Sequence, residues 1–311
     1  MSVHVPVLRD EILQFLSPRS EGSLLVDGTV GEGGHADLFL RQDPTLELVG
    51  IDADPAMIRI AGERLAPHGP RCRLVHARFS AFFAQYADYC TRSAQAILLD
   101  LGVSMYHFRS SGRGFTFSAD EPLDMRLDPA QERTAADLVN TLPEPELADL
   151  IYEFGEERQS RRIARAIAEA RARARISGSR ELAEIVRRAS GRTGRSPRIH
   201  PATRVFQALR IAVNDEIAEL ERGLASALEA LAPAGRLGVI SFHSLEDRVA
   251  KRIGRSASSP AEGEARFRLV VKKPVVPGEE ERRRNPAARS AKLRVVERLA
   301  ESERGGTEEH G

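Results

Sequence analysis

The sequence has only two cysteines in 311 residues, Cys72 and Cys90, and neither belongs to a CxxC pair. This excludes a disulfide-stapled scaffold and gives no support to a zinc site, and no other cluster of metal-ligand residues stands out. Long apolar runs are also missing, since no stretch approaches the roughly 18 residues that cross a membrane. The start, MSVHVPVLRDEILQFL, lacks the basic residues and apolar run of a secretory signal. We therefore expect a cytoplasmic protein with no membrane partner.

Lysine is absent from one long segment that is rich in arginine. Between Arg158 and Arg210 there are 15 arginines and three acidic residues, a net charge of +12, so the rest of the chain carries −11. Segregated charge of this kind indicates a polyanionic partner, although a solvated helical face rich in arginine explains it equally well. With 41% hydrophobic and 29% charged residues, the chain can bury a large core.

The first hundred residues alternate apolar runs with helical patterns. Strands are predicted over 24–27, 46–52, 73–76 and 96–100, and helices over 34–41, 55–65 and 80–89. This alternation predicts an α/β fold with a parallel, doubly wound sheet.

The alternation of strand and helix patterns ends after residue 100. Residues 101–133 have the composition of a long loop, and helical patterns follow over 134–190. After a polar break at 192–201, one long helix is predicted over 202–231, and strands return at 236–242, 267–271 and 293–296. We therefore expect an α/β domain built from residues 1–104 and 216–300, an inserted helical domain over 105–215, and a disordered tail over 301–311.

A glycine-rich segment, GTVGEGG at 28–34, joins the first predicted strand to the first predicted helix. Its four glycines exceed the needs of a turn and let the backbone approach a ligand. The residues from Gly31 match the G-x-G-x-x-A pattern of dinucleotide-binding loops. However, Asp27, which precedes the glycines, would repel a pyrophosphate and suits an ammonium group. Asp52 ends the second strand about 20 residues later, where a carboxylate can bind both ribose hydroxyls. The two acids favour S-adenosylmethionine, a nucleoside that carries an amino acid and no phosphate.

Several of these residues have a structural alternative. Asp52 could cap the helix that begins at Pro55, a role that Asp54 could take instead. Asp100 ends the fourth strand, where open sheets bind ligands, and could hold either a target amine or the cofactor. Phe79 could pack on an adenine ring or in the core.

Two later segments leave similar choices open. His243 and Ser244 follow a strand and could line the substrate pocket, but Ser244 with Asp247 three positions on also fits a helix cap. Arg113 and the run 124–126 (DMR) could gate the pocket or form a buried ion pair.

Eight segments occur in a fixed order along nearly the whole chain, from about residue 4 to 298. They are HVPVLRDE at 4–11, DGTVGEGGH at 27–35, LLDLGVS at 98–104, RGFTFSADEPLDMRLD at 113–128, GEERQSRRIARAI at 155–167, HPATRVFQALRIAVN at 200–214, ISFHSLEDR at 240–248 and NPAARSAKL at 285–293. Together they closely resemble the RsmH (MraW) family of bacterial 16S ribosomal RNA cytosine-N4 methyltransferases.

The resemblance implies a class I (Rossmann-like) methyltransferase sheet with an inserted all-α domain that recognises ribosomal RNA (rRNA). The implied substrate is a cytosine in the decoding region of 16S rRNA within the small ribosomal subunit. Whether the protein forms a homodimer is left open. It also implies a set of residues that bind S-adenosyl-L-methionine: Gly33, Gly34, His35, Asp52, Phe79, Asp100 and the position of His107. The chain departs from the family at 104–107, where S-S-P-Q is usual and SMYH stands here. The imidazole of His107 can still make one hydrogen bond to the cofactor.

The chemistry implied by the resemblance requires mostly positioning, because the cofactor is already an activated methyl donor. Asp100 is the candidate for orienting the amine, and His243 is the second candidate for a catalytic role. Phosphate contacts are expected from five arginines of the insert, Arg161, Arg162, Arg165, Arg204 and Arg210. The rival interpretations are a class I methyltransferase with a non-RNA substrate, a Rossmann dehydrogenase, and a non-catalytic rRNA-binding assembly factor.

Overall fold

The computed structural model describes residues 6–18, 20–190, 200–260, 263–300 and 302. These form two compact units. The sheet unit comprises the described residues up to Gly102 and from Ile217 onward, and the helical unit comprises Val103–Glu216. Residues 192–199 of the break predicted at 192–201, and the predicted tail apart from Ser302, lie outside the described residues. Among the described helices, none is long and apolar enough to cross a membrane.

The sheet unit is built on seven strands in the order β3-β2-β1-β4-β5-β7-β6. Strands β1 to β5 pair in parallel, and β7 runs antiparallel to both β5 and β6. The class I methyltransferase sheet predicted from the sequence is confirmed. The strands are β1 (Leu24–Asp27), β2 (Glu47–Asp52), β3 (Cys72–His76), β4 (Ala94–Asp100), β5 (Leu231–Ser241), β6 (Phe267–Leu269) and β7 (Lys292–Arg298).

The chain forms fourteen described α-helices. In chain order they are α1 (Arg9–Leu16), α2 (Gly34–Gln42), α3 (Pro55–Leu65), α4 (Phe79–Ala84), α5 (Tyr86–Tyr89), α6 (Met105–Arg109), α7 (Ala135–Thr141), α8 (Glu144–Gly155), α9 (Ser160–Arg171), α10 (Ser179–Ser190), α11 (Ala202–Asn214), α12 (Glu216–Ala230), α13 (Ser244–Ser258) and α14 (Glu279–Arg284). Short 3₁₀ helices cover Ala66–Arg71 and Pro286–Ser290.

Each face of the sheet carries its own apolar core, because successive side chains of a strand point to opposite faces. On β1, Leu25 faces a core shared with α1, α2 and α3, whereas Leu24 and Val26 face a core shared with α4, α12 and α13. All four residues of β1 are buried as a result. Burial on both faces explains why the sequences of the central strands are unbroken apolar runs. Because these strands are parallel, their carboxyl ends lie at the same edge of the sheet.

The helical unit has a separate core formed by α7 to α11 and the loop that precedes α7. The loop is held by Asn214 at the end of α11, whose Oδ1 accepts from the Leu127 amide at 2.8 Å and whose Nδ2 donates to the Met125 carbonyl at 2.8 Å. The segment 101–133 is therefore an ordered loop, and it also contains the short helix α6.

The single helix predicted over 202–231 is wrong, because the chain forms two helices that are separated at Asp215. This residue adopts the left-handed conformation, with φ of 54°, and its amide donates to the Ile211 carbonyl, which ends α11. A second predicted helix, over 80–89, also divides into two at Gln85.

We expect Gly114→Ala to destabilise the protein by about 3 kcal/mol, through a left-handed backbone and a steric clash. Gly114 has φ of +74°, and a Cβ there would lie 2.3 Å from the Pro122 carbonyl oxygen. Urea unfolding measures the effect. Gly112→Ala is the matched control, since Gly112 has φ of +65° with nothing within 4 Å, and it should cost only about 1 kcal/mol. Equal losses in the two variants would contradict the steric argument.

Candidate active site

The glycine-rich loop 28–33 leads from β1 into α2. Gly33 has φ of +76° directly before the first turn of α2, a conformation that favours glycine. Gly28 is closely packed, since a Cβ there would lie 2.4 Å from Leu99 Cδ2 on β4. The loop therefore brings bare backbone and the amino end of α2 to the carboxyl edge of the sheet, where anionic groups are favoured.

Asp52 holds this loop in place from the end of β2. Its Oδ2 accepts from the Gly31 amide at 2.9 Å, and its Oδ1 accepts from the Asp54 amide at 2.9 Å. Asp54, not Asp52, caps α3, because its Oδ1 accepts from the Ala56 amide at 2.8 Å. These two backbone amides orient the Asp52 carboxylate at the edge of the sheet.

Asp27 and Asp100 end neighbouring strands at the point where the strand order reverses, since β1 lies between β2 and β4. Ligands bind at this position in open α/β sheets. Asp27 is 2% exposed, and its burial raises its pKa to about 7 against the lowering effect of His35. Asp100 is fixed through its amide, which donates to Thr29 Oγ1 at 2.6 Å. This contact of Thr29 with Asp100 was not predicted from the sequence.

His35, in the first turn of α2, faces Asp100. Its Nε2 lies 3.5 Å from Asp100 Oδ2, and the side chain is 6% exposed. The structure therefore brings together Asp27, Asp52, Asp100 and His35 with the glycines of the loop, an arrangement that can hold a cationic group beside a nucleoside.

Phe79 begins α4 and is partly buried against the core that includes α12. Its ring lies so close to Gly223 that a Cβ there would be 2.1 Å from Phe79 Cε2. The next residue, Ser80, ties α4 to α12 because its amide and hydroxyl donate to Glu219 at 2.9 and 2.7 Å. Core packing of Phe79 is thus observed, and its contact with adenine stays a prediction.

The cap predicted at Ser244 is wrong. His243 is the N-cap of α13: its Nδ1 accepts from the Glu246 amide at 3.4 Å, and Glu246 Oε2 accepts from the His243 amide at 3.2 Å. The extended backbone of His243 lets its imidazole take the place of a hydroxyl. Asp247 instead pairs with Lys292 and Arg294, at 3.0 and 2.7 Å. A role for His243 in lining the pocket stays a prediction.

His107 lies on α6 in the helical unit. It is 2% exposed and makes an edge-to-face contact with Phe115, with ring centroids 5.0 Å apart. In the same unit Asp124 and Arg126 form an ion pair, with Arg126 Nε 2.7 Å from Asp124 Oδ1. For the run 124–126, an ion pair was the alternative to gating the pocket. Partial burial raises the pKa of Asp124, but the hydrogen bonds from Arg126 outweigh it and lower that pKa. Arg113 donates to the carbonyls of residues 126 and 127 at 2.9 and 2.8 Å.

The five predicted phosphate-binding arginines differ in their availability. Arg210 is 14% exposed and makes two hydrogen bonds of 2.8 Å to Glu216, so its guanidinium is already occupied. Arg161 pairs with Asp149 at 2.6 Å. Arg204 lies 3.5 Å from Glu157, and Arg165 lies 3.8 Å from Glu144. Arg162 is exposed, and its side chain has no hydrogen bond or ion pair with the described residues.

Comparison with known proteins decides the family. The MraW methylase family matches residues 1–299. The chain belongs to the MraW methylase family. Two relatives are both named ribosomal RNA small subunit methyltransferase H. The one from Treponema denticola is 48% identical over 309 residues, covering 96% of this chain and 98% of its own. The one from Geobacter sulfurreducens is 48% identical over 308 residues, covering 95% and 99%.

Membership of the MraW family confirms the methyltransferase assignment and the S-adenosylmethionine cofactor, and it removes the dehydrogenase alternative. Among solved structures, an rRNA methylase from Streptococcus thermophilus has a TM-score of 0.43 at 11% identity, covering 94% of this chain and 93% of its own.

Proposed function

We propose that this MraW-family protein transfers a methyl group from S-adenosylmethionine to the exocyclic N4 of a cytosine in the decoding region of 16S rRNA. The observation that carries the rRNA part is the 48% identity, over nearly the full length of both chains, to relatives named ribosomal RNA small subunit methyltransferase H. We place the activity in the cytoplasm, on the small ribosomal subunit.

The residues at the carboxyl edge of the sheet support an amine as the target. Asp100 offers a carboxylate acceptor at the switch point, and its Oδ1 is buried without a partner in the described chain. Methylation of a ring carbon instead needs a thiolate, but Cys72 begins β3 and Cys90 precedes β4, both toward the amino ends of the strands. The edge that carries Asp100 therefore has no thiol, since the sequence contains no other cysteine.

The protein binds the cofactor and orients the target amine toward it. The bound cofactor supplies an activated methyl group. Asp52 would accept hydrogen bonds from the ribose hydroxyls of the cofactor, and Asp27 would face its ammonium group. The backbone from Gly33 to His35 would bind its carboxylate group. Phe79 is the candidate for the adenine. Asp100 would accept a hydrogen bond from the target amine, which fixes the direction of attack and balances the developing charge. The target base must first leave its stack to reach this edge.

The direct test incubates the protein and cofactor with small subunits that lack the modification, then maps methylated nucleosides of the 16S rRNA by mass spectrometry. We expect N4-methylcytosine at one site in the decoding region. Methyl transfer that survives RNase treatment of the substrate would favour a non-RNA target. Binding of the subunits without any methyl transfer, on mature particles and on assembly intermediates, would favour a non-catalytic assembly factor.

The helical unit is the proposed rRNA interface, and three of its arginines are the best placed to contact phosphates. Arg158, Arg162 and Arg173 are exposed, and none of them has an ion pair or side-chain hydrogen bond in the described chain. Replacing all three with glutamine should weaken rRNA binding and lower the slope of log affinity against log salt by about 2 to 3, roughly one for each lost phosphate contact. Filter binding between 50 and 200 mM salt (about the range in which such contacts are lost) measures both.

The matched control replaces three exposed arginines of the sheet unit that are already paired within their helices. These are Arg41, Arg59 and Arg284, which pair with Asp37, Glu63 and Glu280. We expect the control protein to keep the wild-type salt slope. An equal drop in slope for the two triple variants would mean that overall charge, not the helical unit, carries the binding.

A further inference from the structure

Among the buried polar atoms of the sheet unit that have no hydrogen-bond partner in the described chain, three lie together. They are Nδ1 and Nε2 of His35 and Oδ1 of Asp100. His35 Nε2 is 3.5 Å from Asp100 Oδ2, longer than a formed hydrogen bond. Buried polar atoms in folded proteins are nearly always paired. Three open atoms at one place therefore indicate groups kept for chemistry and not for holding the fold.

The backbones that carry the two side chains are firmly placed. The Asp100 amide donates to Thr29 Oγ1 at 2.6 Å, and Asp100 is in register with Ile240 on β5. His35 follows Gly33, whose left-handed conformation sets the start of α2. Closing the gap to a hydrogen bond needs a movement of about 0.7 Å, and catalytic hydrogen bonds are often this long before the substrate binds.

The charged groups around His35 are mostly acidic. Asp27 on β1 interacts electrostatically with His35, with Asp100 on β4 and with Asp52 on β2. A positive charge comes from Arg64 on α3. Its Nη1 lies beside Gly34, the residue before His35, at 3.4 Å from the position that a Cβ of residue 34 would take. Two carboxyl groups, those of Asp27 and Asp100, and one guanidinium therefore lie near the imidazole.

We propose that His35 is a positioning residue behind Asp100 and the final acceptor of the proton that the target amine releases. This inference rests on the proposed function. The bond between N4 and the methyl carbon forms while the carbon–sulfur bond of the donor breaks, and its electron pair stays on sulfur. N4 then carries one proton too many. That proton passes to the Asp100 carboxylate and on to His35 Nε2, so the positive charge of the donor ends on the imidazole.

The pairing itself can be tested in the protein without cofactor. In protein labelled with ¹⁵N-histidine, the ring resonances of His35 are assigned by their loss in His35→Gln. We expect these resonances to shift in Asp100→Asn relative to the wild type at the same pH. Unchanged His35 resonances in Asp100→Asn would overturn the pairing.

The proton transfer is tested by single-turnover rates at saturating cofactor and small subunits. His35→Gln should slow the rate about 10²-fold and change its dependence on pH. Its affinity for S-adenosylhomocysteine, measured by calorimetry, should change by less than about threefold, a small free-energy difference. The same comparison in an Asp27→Asn background removes the neighbouring carboxyl, and the effect of His35→Gln on the pH dependence should persist there.

A matched control is a partly buried histidine–aspartate pair elsewhere in the sheet unit. His68 Nε2 lies 2.8 Å from Asp37 Oδ1. His68→Gln should keep both rate and pH profile. If His35→Gln weakens cofactor binding but keeps the saturated rate and the pH dependence, His35 is only a cofactor ligand and the inference is wrong. If the wild type methylates no rRNA although the His35 resonances respond to Asp100→Asn, the proposed function fails and the pairing stands.

Discussion

Replacing Asp100 with asparagine is expected to lower the saturated rate of methyl transfer to rRNA about 10³-fold, because the variant keeps one acceptor oxygen but loses the charge that balances the developing positive charge on the amine. The backbone of the variant should be unaffected, since Asp100 is held through its amide by Thr29. The effect should be on the rate and not on rRNA affinity. Single-turnover kinetics and filter binding on the same preparation measure the two separately.

Asp88→Asn is the control for Asp100→Asn, because Asp88 lies on α5 and its exposed carboxylate has no hydrogen bond or ion pair in the described chain. It should leave both quantities unchanged. A rate in Asp100→Asn within about threefold of the wild type would show that the carboxylate charge contributes less than 1 kcal/mol to the transition state. Asp100 would then be a ligand of the cofactor alone.

The parts of the fold that could be predicted are those with strong local signals. The bounds 24–27 and 55–65 match β1 and α3 residue for residue. An apolar run ends at Gly28 in the first case, and Asp54 with Pro55 marks a helix start in the second. The break at Asp215 had no such signal, because apolar residues at helical spacing continue through it and the left-handed residue is not a glycine.

The site shows the same division between local and distant information. Asp27, Asp52 and Asp100 could be placed at one edge because each ends a parallel strand. The contact between Thr29 and Asp100 joins residues that are 71 positions apart, and nothing in the sequence pairs them. The cap at His243 was missed because serine, the commoner capping residue, directly follows it.

Asp27→Asn is expected to stabilise the protein at alkaline pH. Burial raises the pKa of Asp27 from 3.8 to about 7, so between these values the folded chain binds a proton that the unfolded chain releases. Stability therefore falls as pH rises from about 4 to about 7, and the difference in pKa corresponds to about 4 kcal/mol. The variant, which cannot ionise, should match the wild type near pH 4 and be more stable by up to about 4 kcal/mol above pH 8.

Urea unfolding from pH 4 to 8.5 measures this difference. Asp43→Asn provides a control of opposite sign, because hydrogen bonds from Thr45 lower the pKa of Asp43, and its removal should cost stability above the ordinary range of an aspartate. A stability difference between wild type and Asp27→Asn that stays constant with pH would contradict a titrating carboxyl at this position.

The same carboxyl should link cofactor binding to pH in the opposite direction. If Asp27 faces the ammonium group of the cofactor, binding favours its charged form, so the wild type should bind more tightly as pH rises through about 7 and release a proton when it binds below that pH. Calorimetry in two buffers of different ionisation enthalpy measures the released proton, and Asp27→Asn should release none. The buried acid would then destabilise the empty fold under the same conditions in which it strengthens the bound state, because one desolvated charge causes both effects.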